Sequence, residues 1–481
     1  MLGLAFLIAA QAPSRPTLRF ENPEVQSRLA PPFERALHNL LDVNAVAYDP
    51  KVYNRTGLMK GSQFIRAGGG YDQPWTRDAA INSWNAASLF ASDLARDTLW
   101  AATVPDERGE PIVQRDNQWW DKVIWIVGAW NHYETTGDRA FLEKSYGVAD
   151  RLLAEMRATR YNAEYGLYQG PSFFNDGIAG YPAPPAETDD GGSSFVLDHK
   201  GTDRLMPLST NCLYVGAYRA AAAMAKELGQ PSRWDKDADE LKRAIDRHLW
   251  MPKRGTYGYF LDGDGGLDPS QEGAGLAFAA LFGVAKGDRA RHILEDAHIE
   301  PFGITDVWPH FARFSDARPG RHNGIVWPMV QGMWARAAVE VGDVPAFQTQ
   351  MVDLARLVTA SDGHFWEIYN AESGKPDGGW QNGRGWGSAP DQTWSATAYL
   401  SMVTNGLFGM RFEPKGLRFK PSLPGGWGAA TLSGVPYRAA TLDIALRGSG
   451  TKVVSCALDG KKVKIVPTTL TGRHSVEIVA E

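Results

Sequence analysis

Cysteine is nearly missing: two residues, Cys212 and Cys456, in a chain of 481. They lie far apart in different expected elements, so two buried thiols fit better than a disulfide framework, and no zinc spacing is present. Apart from the first dozen residues, no run approaches the roughly 18 apolar residues of a membrane span. Excess positive charge is also lacking. The net charge of −5 leaves no basic footprint for nucleic acid. No G-x-x-x-x-G-K-[ST] occurs, and the glycine clusters do not follow strands, which removes the usual nucleotide cradles. The acidic runs lack the ligand spacing of an EF-hand, so no metal or cofactor is expected.

What the chain has in quantity is aromatic surface: 17 tryptophans and 16 tyrosines. Tryptophan joins a large apolar face to one donor, which suits flat, half-polar ligands as well as helix packing. The start, MLGLAFLIAAQA, is a short apolar run ending in small residues. It reads as a signal peptide over residues 1–12 and implies a periplasmic or secreted protein, although no basic residue precedes it.

Helical periodicity dominates from about residue 32 to 408, with twelve expected helices starting near 32, 78, 95, 118, 139, 208, 232, 270, 287, 323, 345 and 390. Several are joined by short Gly-Asp or Gly-Gln turns such as TTGDRAF and EVGDVPAF, where Gly stops one helix and a polar residue starts the next. Helices apolar on every side (CLYVGAYRAAAAMA, AGLAFAALFG, TWSATAYLSMV) alternate with amphipathic ones (WDKDADELKRAIDRHLW). The first kind is buried and the second lies outside it. Six inner helices ringed by six outer ones make a mainly α fold, an (α/α)6 barrel. After residue 411 the pattern alternates every second residue between turn signals, the mark of a small C-terminal β-domain. The expected organisation is a leader over 1–12, an extension over 13–31, the barrel over 32–410 and the β-domain over 411–481.

In such a ring the segments entering the inner helices meet at one end. Here they hold GGGYDQPWTRD (68–78), QRDNQWWD (114–121), a long stretch over 160–207, LDPSQEG (267–273), GRHNGIVWP (320–328) and residues 363–394. Long irregular loops in a compact domain are usually functional. Tryptophans that stack on sugar faces, with Arg forks and carboxylates that bond vicinal hydroxyls, make a carbohydrate site. Trp75, Arg77 and Asp78 form one wall, Asp78 having a second reading as a helix cap. Trp119, Trp120 and Asp121 are assigned to substrate binding, as are His322, Trp327, Gln381 and Trp386. A buried structural role for His322 stays open.

These motifs have a familiar look. WTRDAA resembles the sugar-gripping motif of glucoamylases, and SAPDQTWSATAYL is similar to the helix start those enzymes carry after their catalytic base. GGWQNGRGWG resembles a segment of trehalases and processing α-glucosidases. RHNGIVWPMVQGMWARAA is similar to glycogen-debranching glucosidases and disaccharide phosphorylases. The chain is therefore identified with the six-hairpin glycosidase superfamily. That resemblance implies two carboxyl groups, one protonated as acid and one ionised to activate water, with inversion at the sugar carbon. WEIYNAESGKP then places the base at Glu367. The acid falls in 160–207, which offers Glu164, Asp176, Glu187, Asp189, Asp190, Asp198 and Asp203. Asp176 leads, because apolar neighbours such as Phe173 and Phe174 raise a carboxyl pKa. Asp121 resembles the glucoamylase acid motif but falls one hairpin early. The expected function is an exo-acting hydrolase of α-glycosidic bonds, α-glucosides first, with an oligosaccharide or glycoside as its partner. A phosphorylase, a histidine-based sugar epimerase (His199, His310, His322 and His364) and a non-catalytic sugar binder remain as alternatives.

Overall fold

The computed structural model describes residues 15–113, 117–182 and 192–481. The expected leader and the rival acids Glu187, Asp189 and Asp190 lie outside the described residues. Among the described residues twelve helices form a double ring. The inner ones begin at Thr76, Ile124, Leu208, Gly273, Pro328 and Thr393. Each packs on the next, and the last, Thr393–Ser401, packs back on the first, Thr76–Asn82, so the ring closes. The outer helices are Pro23–His38, Ser92–Ala101, Arg139–Arg160, Trp234–His248, Gly287–Glu295 and Val344–Ala360.

Burial separates the two rings as the sequence pattern requires. In the inner helix Leu208–Glu227 only Arg219, Ala223, Lys226 and Glu227 escape burial. The outer helix Trp234–His248 buries one stripe, Trp234, Asp237, Ala238, Leu241, Ala244 and Ile245, at three- and four-residue spacing. Small residues let inner helices approach: a Cβ on Gly128 would stand 2.9 Å from the Ala80 carbonyl oxygen. The turns leaving the inner helices are short, and two of them pair a glycine stop with an aspartate cap. Gly137 closes Ile124–Thr136 in the left-handed region (φ 73°), and Asp138 accepts from the Phe141 amide at 3.0 Å to open the next helix.

The first outer helix corrects an expectation. It begins at Pro23, not near residue 32, because Asn22 caps it by accepting from the Glu24 and Val25 amides, and Pro31 and Pro32 lie inside it. The strand before it, Thr17–Phe20, pairs with Ala430–Tyr437, so the N-terminal residues complete a C-terminal sheet. That six-stranded sheet and a three-stranded one follow the barrel. Along Ala440–Gly448 burial alternates, with Ala440, Leu442, Ile444 and Leu446 turned inward. No described helix is long and apolar enough to cross a membrane.

The connections from outer to inner helices are the long ones, and all open at one end of the ring. That end carries the site.

Candidate active site

A cavity of about 240 Å³ opens there, lined by residues of five of the six entering segments. The first supplies Tyr71, Trp75, Arg77 and Asp78, the second Gln118, and the third Phe174, Asp176, Gly177, Ser194 and Phe195. The fifth gives Arg321 and Trp327, and the last gives Glu367, Gln381, Trp386, Gln392 and Trp394. The volume lies below the usual small-molecule range of roughly 300–1,000 Å³, so the cavity suits one sugar ring.

Glu367 is fixed from several sides. Its amide donates to the Ala389 carbonyl at 2.8 Å, and the next amide, of Ile368, donates to the Ser388 hydroxyl at 2.9 Å. Arg321 Nη2 donates to Glu367 Oε2 at 3.0 Å, and the Tyr71 hydroxyl donates to Oε1 at 3.4 Å. Burial, then the charge of Glu367, raise the Tyr71 pKa, so the phenol keeps its proton.

Asp176 faces it from the third segment. Gln118 Nε2 donates to Asp176 Oδ2 at 2.8 Å, with Arg77 Nη2 at 3.5 Å from the same oxygen. His322 Nε2 lies 3.5 Å from Oδ1. Burial works to raise this carboxyl's pKa. The His322 ring 3.5 Å away and the charges of Arg77 and Arg321 outweigh it and hold Asp176 well below the usual carboxylate range. The expectation that its phenylalanine neighbours would raise it is thereby corrected. Phe173 and Phe174 are buried and packed edge-on against each other, and cations from two other segments, Arg77 from the first and Arg321 and His322 from the fifth, set the charge of Asp176.

Arg77 reaches the other way to Asp121, with Nη1 2.7 Å from Oδ2. Asp78 is the third residue of its helix, and Trp75 holds the cap position. Burial lifts the Asp78 pKa to about 7 against the pull of Arg77, with Glu367 and Asp121 adding to the rise. Among the described residues four lining side chains each carry a polar atom without a hydrogen-bond partner: Arg77 Nε, Asp78 Oδ1, Gln392 Oε1 and Trp394 Nε1. Unsatisfied buried polar atoms are rare, and grouped around one cavity they mark a place for a polar ligand.

The sequence assignments divide accordingly. Asp176, Glu367, Trp75, Arg77, Asp78, Trp327, Gln381 and Trp386 all line the cavity. Four others do not. Trp119 is covered by Arg160, whose guanidinium lies 3.5 Å from its ring centre. Trp120 is fully buried and donates to the Ser172 carbonyl at 3.0 Å, so it supports the wall. Asp121 stands behind Arg77 and orients it. His322 is buried and stacked on Trp327, with ring centres 4.9 Å apart. None of these four lines the cavity: Trp120, Asp121 and His322 are buried behind its wall, His322 in the structural place left open for it, and half-buried Trp119 is covered by Arg160. Sequence reasoning missed Tyr71, Gln118, Arg321, Gln392 and Trp394. All stand inside or beside quoted motifs, and their adjacency was the available signal. Among the described residues no cluster of His, Cys, Asp and Glu could hold a metal ion.

Comparison with known proteins bears on the barrel and its family. A family model for the mannosylglycerate hydrolase MGH1-like glycoside hydrolase domain matches residues 71–395. No curated protein sequence matches. Among solved structures, the GH63 mannosylglycerate hydrolase from Thermus thermophilus in complex with glucose is similar over 78% of this chain and 100% of its own, at 16% identity and a TM-score of 0.55. The GH78 family rhamnosidase of Bacillus sp. GL1 is similar over 97% of this chain and 44% of its own, at 13% identity and a TM-score of 0.62. The chain thus spans less than half the length of that rhamnosidase. A rhamnosidase from Klebsiella oxytoca with rhamnose bound shares 14% identity over 80% of this chain and 65% of its own, with a TM-score of 0.53. Identities this low carry the fold alone. The family match covers most of the barrel: the chain belongs to the MGH1-like glycoside hydrolase family, within the six-hairpin (α/α)6 glycosidase superfamily.

Proposed function

We propose that the protein is an exo-acting α-glycosidase that hydrolyses with inversion. One observation carries the reading: Asp176 and Glu367, from different hairpins, line the same one-ring cavity, each in contact with an arginine. A terminal sugar stacks on Trp75 and Trp327 and bonds through Arg77 and Asp78. Asp176 gives its proton to the leaving oxygen, and Glu367 takes one from the attacking water. Arg321 holds Glu367 in orientation for that task. The histidine-based alternative is less well supported. His322 lies behind Asp176, while His199, His310 and His364 bond to Ser193, Asp316 and Asp391 and do not line the cavity. Export, which rests on residues 1–12, belongs to the same proposal.

The test is a panel of nitrophenyl α- and β-glycosides of glucose, mannose and rhamnose, with and without phosphate, the product anomer followed by NMR. The expected result is phosphate-independent release from an α-glycoside, glucose first, with the β-anomer formed initially. A retained anomer would overturn the water-activating role of Glu367, and strict dependence on phosphate would make the protein a phosphorylase.

A further inference from the structure

Behind the cavity wall one imidazole bridges two carboxylates. His322 Nε2 lies 3.5 Å from Asp176 Oδ1, and its Nδ1 lies 3.5 Å from Asp306 Oδ2. The ring is clamped. Trp327 stacks on it within 11° of parallel, and Phe174 meets it edge-on at 5.5 Å. From another side the backbone presses close: a Cβ at Gly177 or Gly180 would stand 2.9 or 3.1 Å from His322. Asp306 is wholly buried, and among the described residues His322 is its only ion-pair partner. Beyond Asp306, Glu272 is held by the Ser172 hydroxyl and by the Ser209 amide at 3.0 Å.

This array answers a difficulty in the proposed chemistry. A general acid must hold a proton, yet Asp176 is surrounded by donors that keep it ionised in the free enzyme. We propose that His322, backed by Asp306, is the positioning residue and proton reservoir for Asp176, passing its Nε2 proton to Asp176 Oδ1 once a sugar fills the cavity. The inference rests on Asp176 being the acid. A bound ring excludes water and disfavours a separated imidazolium and carboxylate relative to their neutral forms. In the transfer the Nε2–H bond breaks, its electron pair stays on nitrogen, and an O–H bond forms on Asp176. That proton goes to the glycosidic oxygen as the C–O bond breaks toward the leaving group. Water forms the new C–O bond and loses a proton to Glu367. Exchange with solvent then returns a proton to His322 and removes one from Glu367.

The charges around the ring fit a stored proton. Burial works against the imidazolium, but the two carboxylates outweigh it and raise the His322 pKa. Burial brings Asp306 up to about 6 against the pull of His322, and burial brings Glu272 to about 8, so Glu272 adds little negative charge at neutral pH. Arg77 and Arg321 face the array across Asp176.

The experiment compares the wild-type full chain with H322Q, D306N and D176N. In histidine-¹⁵N-labelled protein the resonance lost in H322Q is expected to be imidazolium at pH 7 in the wild type and to titrate lower in D306N. A neutral ring at pH 7 overturns the proposal without reference to activity. Kinetics use methyl and 2,4-dinitrophenyl α-glycosides of glucose, mannose and rhamnose, because the second leaving group needs no proton. For H322Q, kcat on the methyl glycoside is expected to fall about 100-fold, the lower end of the general-acid range. The dinitrophenyl glycoside should lose only a few-fold, and the alkaline limb of the pH profile should move toward acid. Equal losses on both substrates, or an unmoved limb, would reduce His322 to packing. D176N as active as wild type on the methyl glycoside would instead remove Asp176 as the acid, a separate outcome.

Discussion

Asp78 offers a test in which stability and function move apart. Its carboxyl is buried at the start of an inner helix, and its pKa rises from 3.8 to about 7 on folding. Below about pH 4 the group is neutral in both folded and unfolded chains. Between pH 4 and 7 the unfolded chain has released the proton and the folded one keeps it, so stability falls by about 1.4 kcal/mol per pH unit. Above pH 7 the loss is complete and flat. From pH 5 to pH 8 about two units of this slope remain, so Asp78 alone costs about 3 kcal/mol across that interval. Asp78→Asn keeps the shape and removes the titration. Urea unfolding of wild type and variant at the two pH values is expected to show the variant gaining about 3 kcal/mol on the wild type as pH rises. Any constant penalty from the new amide cancels in that difference. Activity should fall at both pH values, because the amide keeps one acceptor oxygen but turns the second into a donor, so it no longer accepts from two vicinal sugar hydroxyls. A stability gap independent of pH would refute the reasoning, since it would mean that the carboxyl is solvated or compensated by Arg77.

Glu367→Gln is expected to lower kcat by a factor of about 10²–10⁴ while KM changes little, since the amide retains shape and loses the base; steady-state kinetics on the substrate found by the panel check this. Asp121→Asn breaks the buried pair with Arg77, and a loss of about 3–5 kcal/mol in chemical denaturation is expected together with a raised KM. Trp120→Ala should destabilise by a similar 3–5 kcal/mol through its cavity. It should leave kcat per folded molecule within a few-fold, which a direct substrate contact would not allow. Gly379→Ala forces a side chain onto a backbone at φ 70° and sets a Cβ 2.6 Å from Arg321 Cα. A lowered melting temperature and about a tenfold fall in kcat/KM are expected as Arg321 shifts from Glu367.

The barrel was legible because its signals are local. The Gly-Asp turns read as paired stops and starts, and Gly342 and Asp343 perform both tasks: Gly342 stands at φ 78°, and Asp343 accepts from the Ala346 amide at 2.9 Å. The all-round apolar character of the inner helices named their layer directly. The first outer helix was misjudged because Pro31-Pro32 reads as a helix start. At Pro32 the first-turn preference for proline competes with the Asn22 cap ten residues earlier, and the earlier cap wins by bringing Leu29 and Ala30 into the buried face. The strand Thr17–Phe20 was unreadable for a different reason. Its partner lies more than four hundred residues away, and four residues carry too little alternation to declare a sheet.

The site divides along the same line between local and distant causes. Residue types were legible: a ring-rich, carboxylate-rich mouth follows from the motifs, and Glu367, Arg77 and Asp78 all reach the cavity. Depth and charge were not. Trp119, Trp120 and Asp121 are consecutive, and only structure shows that Arg160 covers the first and Ser172 holds the second, while the third serves Arg77. The state of Asp176 is the sharpest case. Its own segment, with two phenylalanines, argues for a raised pKa, but Arg77, Gln118 and His322 come from three other segments and reverse it. A pKa is a sum over everything within a few ångströms, and in a closed ring of hairpins most of that neighbourhood is far away in sequence. Local context therefore narrows which carboxylates can enter such a cavity, while the opposing hairpins decide which of them do and which carries a proton.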